Sequence, residues 1–239
     1  MTFLKHGTVT VFRITLSWHV RRLKKFNRDK FAQPYKLHLG PGTGWGKPSQ
    51  NWITVDADPK RGDLCMDFGY FRKFPLPDNC VSCVYGSHVF EHINPWVSNR
   101  VFREVYRVLE PGGYLRLVLP DVSRSIREYL DGNMAFPLFE RRKARAEKLH
   151  GLAYTIFDCL REDFISRARQ THLLGKHALG HQNAWDFEAI SNELSEIGFR
   201  VRRSCLKETE CIDFRFEGTY PSEANEDYRS LYVEAQKQG

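Results

Sequence analysis

Residues 81–92 read VSCVYGSHVFEH, and the fold turns on how this stretch is interpreted. From Val81 to Ser87 it is rich in β-branched and aromatic residues. Upstream lies FPLPDN, a turn with two prolines and an Asp-Asn pair. That combination predicts a strand that enters HVFEH directly. Two histidines and a glutamate within five residues can hold a metal ion or can furnish a base beside a substrate. Pro95 follows three residues after His92, so the segment is not a long helix presenting ligands from one face.

Moving outward, the same punctuation repeats. YKLHLG, from Tyr35, is a short apolar run ending in the glycine turn GPGTGWG. WITV, Trp52–Val55, is a second predicted strand that ends at Asp56, and DLCM a third that ends at Asp67. Downstream, Val101, Phe102, Val105, Val108 and Leu109 lie at helical spacing, with Pro111-Gly112-Gly113 as the expected stop. YLRLVLP, Tyr114–Pro120, reads as a fifth strand. Strands separated by crossover segments predict an α/β fold with a parallel sheet, whose ligands bind outside the carboxyl ends of the strands. Gly40–Gly46, Asp56, Asp67, Ser87–His92 and Asp121 all fall at such ends.

The pattern resumes at AWDFEAISNELSEIGF, where Phe187, Ile190, Leu194 and Ile197 share a helix face that stops at Gly198. RVRRSC and SLYVEAQ are two closing strands. Residues 122–182 are mostly helical and polar, too long for a structureless connection. They are expected to form a helical cap inserted after strand 5. The domain reading is therefore a basic N-terminal segment over 1–34, a core over 35–121 and 183–239, and the cap over 122–182.

The 239 residues carry a formal charge of +7, unevenly placed. Residues 1–36 hold nine Lys or Arg against the single acid Asp29, while the rest of the chain is close to neutral. A neutral body argues against a nucleic-acid partner. Phe12, Leu16, Val20, Leu23 and Phe26 recur at helical spacing among the basic residues, which predicts an amphipathic helix. Packing on the domain is its simplest use; peripheral contact through residues 5–30 with an anionic membrane surface or a biosynthetic partner is the other. Six cysteines and no export signal are expected of a reduced, cytoplasmic chain, peripheral at the inner membrane surface if that helix binds lipid. Cys80 and Cys83 form a C-x-x-C without further ligands at matching spacing, so no metal is expected there.

GPGTGWG departs from a dinucleotide fingerprint, since Trp45 sits where the third glycine belongs. Only Trp45 to Asn51 separate Gly44 from Trp52. That leaves no room for a crossover helix to hold a pyrophosphate, which disfavours a nicotinamide dehydrogenase.

LHLGPG, NWITVDADP, MDF, FPLPDNCVSCVYGSHVFEHI, FREVYRVLEPGGYLRLVLPD and HQNAWDFEAISNELSEIGF together resemble the class I S-adenosylmethionine-dependent methyltransferases. The likeness is to a methyltransferase-domain group often associated with polysaccharide or glycan biosynthesis. It is dense over 36–121 and weaker over 181–199. Pro41 stands where Cys is usual and Ser82 where an acid is common. The resemblance implies a Rossmann-like, mostly parallel seven-stranded sheet with the last strand antiparallel, and S-adenosylmethionine as cofactor. It implies that Gly40 and Gly42 let the backbone approach the cofactor's methionine part, and that Asp56 accepts the ribose hydroxyls, with Asp58 the alternative. Asp67 would take the adenine amino group and Phe68 would cover the ring. Leu39, Pro41, Ala57 and Ser87 line the same expected cofactor site.

HVFEH is also an inverzincin pattern, so a zinc hydrolase is one rival and a non-catalytic cofactor-binding module is another. The expected reaction is O-methylation of a small-molecule, sugar or glycan hydroxyl. His88, Asp121 and His181 are the candidate catalytic groups. Glu91 and His92 could equally pair locally to hold the turn. The cap holds Arg124, Arg127, Arg141, Arg142 and Arg161 among aromatics, an arrangement that suits an anionic acceptor or a solvated helical face.

Overall fold

The computed structural model describes residues 26–42, 45–68, 72–165, 180–215 and 226–239. The expected amphipathic helix lies outside them, apart from its end, where Arg28–Lys30 is a single 3-10 turn. Phe26 and Phe31 nevertheless pack against the main core.

Seven strands form one sheet: β1 (Tyr35–Leu39), β2 (Trp52–Asp56), β3 (Leu64–Cys65), β4 (Val81–Ser87), β5 (Leu109–Pro120), β6 (Phe199–Ser204) and β7 (Ser230–Lys237). Their spatial order is β3-β2-β1-β4-β5-β7-β6. β7 runs antiparallel to both neighbours and all other pairs are parallel. The expected sheet, with its last strand reversed, is the observed one. The order reverses at β1, whose neighbours are β2 and β4. The crevice outside the carboxyl ends of these strands is the topological switch point of such a sheet.

The helices are α1 (Pro95–Val108), α2 (Val122–Leu130), α3 (Pro137–His150), α4 (Ile156–Arg161) and α5 (Phe187–Ile197). α1 starts with Asn94 accepting from the Trp96 amide and Pro95 in its first turn, where the missing proline N–H costs nothing. It buries Val101, Phe102, Val105 and Val108. α5 ends at Gly198 in a left-handed conformation, as its sequence predicts.

Two boundaries differ from expectation. α1 ends at Val108, before Pro111-Gly112-Gly113, and β5 already begins at Leu109. Leu109 pairs with Val81, yet Tyr114 pairs with Cys83, so the Pro-Gly-Gly run is a bulge inside the strand edge. A Cβ on Gly113 would lie 2.9 Å from the Ser82 carbonyl oxygen, a close backbone approach that mimics a helix stop in sequence. β3 contains only Leu64 and Cys65, half of the expected run, although the Met66 amide still donates to the Asp56 carbonyl at 2.9 Å.

After β5 the described chain carries three helices over Val122–Arg161, and residues 166–179 of the expected cap lie outside the described residues. α2, α3 and α4 enclose a cluster of their own, with Phe136, Phe139, Tyr154, Cys159 and Leu160 buried. Phe136 meets Tyr228, in the turn before β7, at 6.3 Å between ring centroids. Because β7 is antiparallel, that turn lies at the end of the sheet where the parallel strands finish.

Candidate active site

Gly40 and Asp56 end neighbouring strands. Leu39 pairs with Val55, and the Gly40 amide donates to the Val55 carbonyl at 2.8 Å. Both Gly40 and Gly42 have left-handed φ, at +59° and +65°, which glycine adopts without strain. Their roles differ from the expected shared one. A Cβ on Gly40 would fall 2.5 Å from Val89 Cγ2, whereas one on Gly42 would meet nothing within 4 Å. Gly40 therefore lets the HVFEH turn pack against the bend. Gly42 faces open space.

Asp56 and Asp58 are told apart by what their side chains do. Asp58 builds its own turn: Oδ1 accepts from the Lys60 amide at 2.9 Å and Oδ2 lies 3.5 Å from Arg61 Nε. Asp56 accepts the Asp58 amide at Oδ1, 2.8 Å away. Burial raises the Asp56 carboxyl above the ordinary aspartate range, against the lowering effects of that amide and Arg61. Gly62 was not anticipated in sequence. A Cβ there would sit 2.9 Å from the Asp56 nitrogen and 2.8 Å from the Leu64 carbonyl oxygen, so only glycine lets this loop close over the Asp56 backbone.

Around this cradle, Leu39 is wholly buried in the core and can offer a ligand only its backbone. Pro41 is partly covered, and Ala57 is exposed, its carbonyl accepting from the Cys65 thiol at 3.3 Å. Asp67 is partly buried at the edge beyond β3. Phe68 departs from the expected ring cover: its side chain is buried in the main core. Ser87, the last residue of β4, has a buried hydroxyl with no hydrogen-bond partner. An orphaned polar atom at a strand end is the mark of a group that awaits a ligand. With the open Gly42 side and the half-buried Asp56 carboxylate, the residues present fit an adenosyl sulfonium cofactor.

HVFEH begins where β4 stops. His88 turns the chain at φ +50°, a conformation uncommon for a residue with a Cβ. Its amide is held by the Val118 carbonyl at 2.9 Å. Its Nδ1 lies 3.3 Å from Glu91 Oε1, and its Nε2 lies 3.1 Å from Ser230 Oγ. A carboxylate can only accept, so in the neutral imidazole Nδ1 carries the proton and Nε2 accepts from the Ser230 hydroxyl. Glu91 is 2% exposed. Burial alone would raise its carboxyl, but the His88 hydrogen bond and the nearby His88, His92 and His181 hold it below the usual range.

Asp121 and His181, the other two candidate bases, are placed differently. Asp121 caps α2, accepting the Arg124 amide at 3.0 Å, with Arg203 3.5 Å from its other oxygen. That is a structural use of both oxygens. His181 joins the HVFEH turn: Gln182 and Asn183 amides both donate to the Glu91 carbonyl, at 2.7 and 3.1 Å. His181 Nδ1 lies 2.9 Å from the Asp163 carbonyl oxygen, and its ring meets that of His92 edge-on at 5.0 Å. Burial lowers its pKa.

Among the described residues, two groups of side chains have metal-ligating atoms within 4.8 Å of one another: Glu91, His92 and His181; and Cys83, Cys211 and Asp213. Both join residues about ninety or more positions apart in sequence, so the short-spacing patterns could not find them.

Of the cap arginines, Arg142 is buried against Asp163 Oδ1 at 2.6 Å, Arg141 pairs with Glu226, Arg161 with Asp158 and Arg124 with Glu128. Only Arg142 is held inside the fold; Arg124, Arg141 and Arg161 keep their heads partly in solvent.

Residues 37–117 match the family model described as a methyltransferase domain. No curated protein sequence matches the chain. Among solved structures it is similar to a methyltransferase of Haloferax volcanii in complex with the Trm112 activator, at 14% identity, covering 94% of this chain and 89% of that one, TM-score 0.48. It is also similar to S-adenosylmethionine-dependent methyltransferases from Methanosarcina mazei (15% identity, 92% and 96% covered, TM-score 0.47) and Mesorhizobium loti (17%, 91% and 96%, TM-score 0.46). The match over residues 37–117, on this strand order, supports a methyltransferase domain there: an enzyme, with S-adenosylmethionine as its cofactor.

Proposed function

We propose that the enzyme methylates a hydroxyl of a small-molecule acceptor, a sugar or glycan hydroxyl being the first choice, with His88 as general base. The observation that carries this reading is the His88–Glu91 pair, set at the end of β4 against the Gly40 bend. S-adenosylmethionine supplies an already activated methyl group on a sulfonium. The chain's task is to align an acceptor oxygen in line with that carbon and to take its proton. Glu91 orients His88 through Nδ1, which leaves Nε2 as the accepting nitrogen, one that already takes a hydroxyl hydrogen bond from Ser230. An acceptor hydroxyl replacing Ser230 there would pass its proton to Nε2 as its oxygen bonds the methyl carbon. The cofactor would supply the leaving group, a neutral thioether that would keep the C–S bonding pair. The buried Glu91 carboxylate stabilises the imidazolium so formed.

Asp56 would hold the ribose diol, with Gly42 and Ser87 beside it and Asp67 toward the adenine. Residues 122–182 are read as the cap that selects the acceptor, since its helices pack beside the turn leading into β7. A cytoplasmic setting, with residues 5–30 as a peripheral basic anchor, is part of the same reading. No helix among the described residues is long and apolar enough to cross a membrane. Calorimetric titration with S-adenosylmethionine should show one saturable site. Mass spectrometry over a panel of glycans and nucleotide sugars should show a gain of one methyl group on a hydroxyl, abolished in His88→Ala. Methylation at nitrogen or carbon, or full turnover in that variant, would overturn the assignment.

A further inference from the structure

Glu91, His92 and His181 do more than hold a turn. Their ligand atoms lie within 4.8 Å of one another, so small side-chain rotations would bring them to the roughly 3.3 Å separation of tetrahedral ligands each about 2 Å from one ion. The buried Glu91 keeps one oxygen, Oε2, without any hydrogen-bond partner, and His92 Nδ1 is likewise buried and unpartnered. Local pairing explains Glu91 Oε1, which faces His88 and His92, but leaves these two atoms unexplained. Buried polar atoms are rarely left so, because each costs on the order of 1–3 kcal/mol.

The surroundings are those of a built site. The two chain segments are clamped by three hydrogen bonds, from the Gln182 and Asn183 amides to the Glu91 carbonyl and from Gln182 Nε2 to the His92 carbonyl at 3.2 Å. His181 Nδ1, by donating to the Asp163 carbonyl, would carry its lone pair at Nε2, the usual way a second-shell carbonyl sets a ligating imidazole. His88 does the equivalent for the carboxylate, donating to Oε1 and leaving Oε2 to ligate.

We infer that Glu91, His92 and His181 bind one divalent transition-metal ion of the zinc class, with His88 as an orienting neighbour. Two imidazoles and a carboxylate suit zinc and leave a fourth position open. This differs from the inverzincin reading, in which His88 and His92 would be the paired ligands and Glu91 the base. Val89 packs on Gly40, so the turn that carries this site borders the cofactor bend. On the methyltransferase reading above, an oxygen of the acceptor would be the natural fourth ligand. The Cys83, Cys211 and Asp213 group is the weaker candidate. Lys36 already sits 2.6 Å from Asp213, and burial pushes the Cys83 thiol well above its usual range, away from the thiolate a metal needs.

The test uses the full chain, loaded with zinc chloride, freed of excess by gel filtration, and assayed by plasma mass spectrometry. The expected result is one zinc per chain, lost in His92→Ala and His181→Ala and retained in Cys211→Ser. His88→Ala should weaken zinc about 10- to 100-fold, as loss of an outer-shell partner does. Cobalt substitution of the wild-type chain, read by visible absorption, gives a check that needs no variant and should show a low-symmetry, nitrogen–oxygen site. Wild-type protein without retained zinc, or zinc that survives both histidine variants, or zinc lost only in Cys211→Ser, would each overturn the inference. Titration of chelator-stripped protein with S-adenosylmethionine separates the two readings. Cofactor binding without a zinc site refutes the metal alone, and a zinc site without cofactor binding refutes the methyltransferase reading alone.

Discussion

His38 offers the sharpest test of how this sheet is packed. It lies on β1, in the middle of the sheet, and is buried between Trp45 and Tyr85, with ring centroids at 4.3 and 5.1 Å. Burial lowers its pKa from 6.5 to about 3. The unfolded chain takes up the proton below pH 6.5, while the folded chain refuses it until about pH 3. The folded state is therefore fully favoured above the unfolded pKa, and stability is lost progressively as pH falls through that window. At about pH 5 the gap from the unfolded value is about 1.5 units, a loss of about 2 kcal/mol at 1.36 kcal/mol per unit. Against a typical total of about 5–15 kcal/mol this is easily seen. Urea unfolding of wild type and His38→Gln, at about pH 7 and about pH 5, reads it as a midpoint shift of roughly 1 M for a slope near 2 kcal/mol/M. Other groups titrate in the same range, so the quantity of interest is the difference between the two proteins. The variant should lose about 2 kcal/mol less than wild type on acidification. Equal losses would mean that His38 accepts a proton in the fold, and that the packing around Trp45 is wrong.

Three further outcomes follow from the site and the sheet. Asp56→Ala should weaken S-adenosylmethionine by about 10- to 100-fold in calorimetry, the loss of charge-assisted hydrogen bonds of about 1.5–3 kcal/mol. Its thermal midpoint should change little. Because burial raises the Asp56 carboxyl, the carboxylate form is lost as pH falls, and wild-type affinity should decline at a higher pH than an exposed aspartate would give. Gly40→Ala must place a side chain at φ +59° and against Val89. The left-handed backbone alone costs about 1–2 kcal/mol, and thermal melting together with a lower cofactor affinity should report it. Arg116 and Glu234 are each 1% exposed and 2.8 Å apart across β5 and β7. Glu234→Ala removes the buried carboxylate that both Arg116 and Arg202 contact and should cost about 3–5 kcal/mol in chemical denaturation.

The parallel sheet was legible because its strands are short apolar runs cut by turn residues. That signal is local: β4 was read as Val81–Ser87 and found there. So was the end of α5, where Gly198 takes a backbone conformation that other residues resist. The Pro-Gly-Gly run misled because the same residues that stop a helix also make a bulge, and only pairing with β4 distinguishes them. Asp56, and Asp58 as its alternative, stand two residues apart in one turn, and each accepts a different backbone amide, from Asp58 and from Lys60.

By itself, then, the amino-acid sequence determined the order of elements, the edge of the sheet that carries the chemistry, and the carboxylate and glycine types found there, since each depends on neighbours within a few positions. Tertiary structure decided which of those residues meet. It set Val89 into the space Gly40 vacates, spent Asp121 on a helix cap, and brought His181 across some ninety residues to Glu91 and His92. Such meetings depend on how the sheet and its following helices pack, and no local pattern encodes a distance between residues so far apart along the chain.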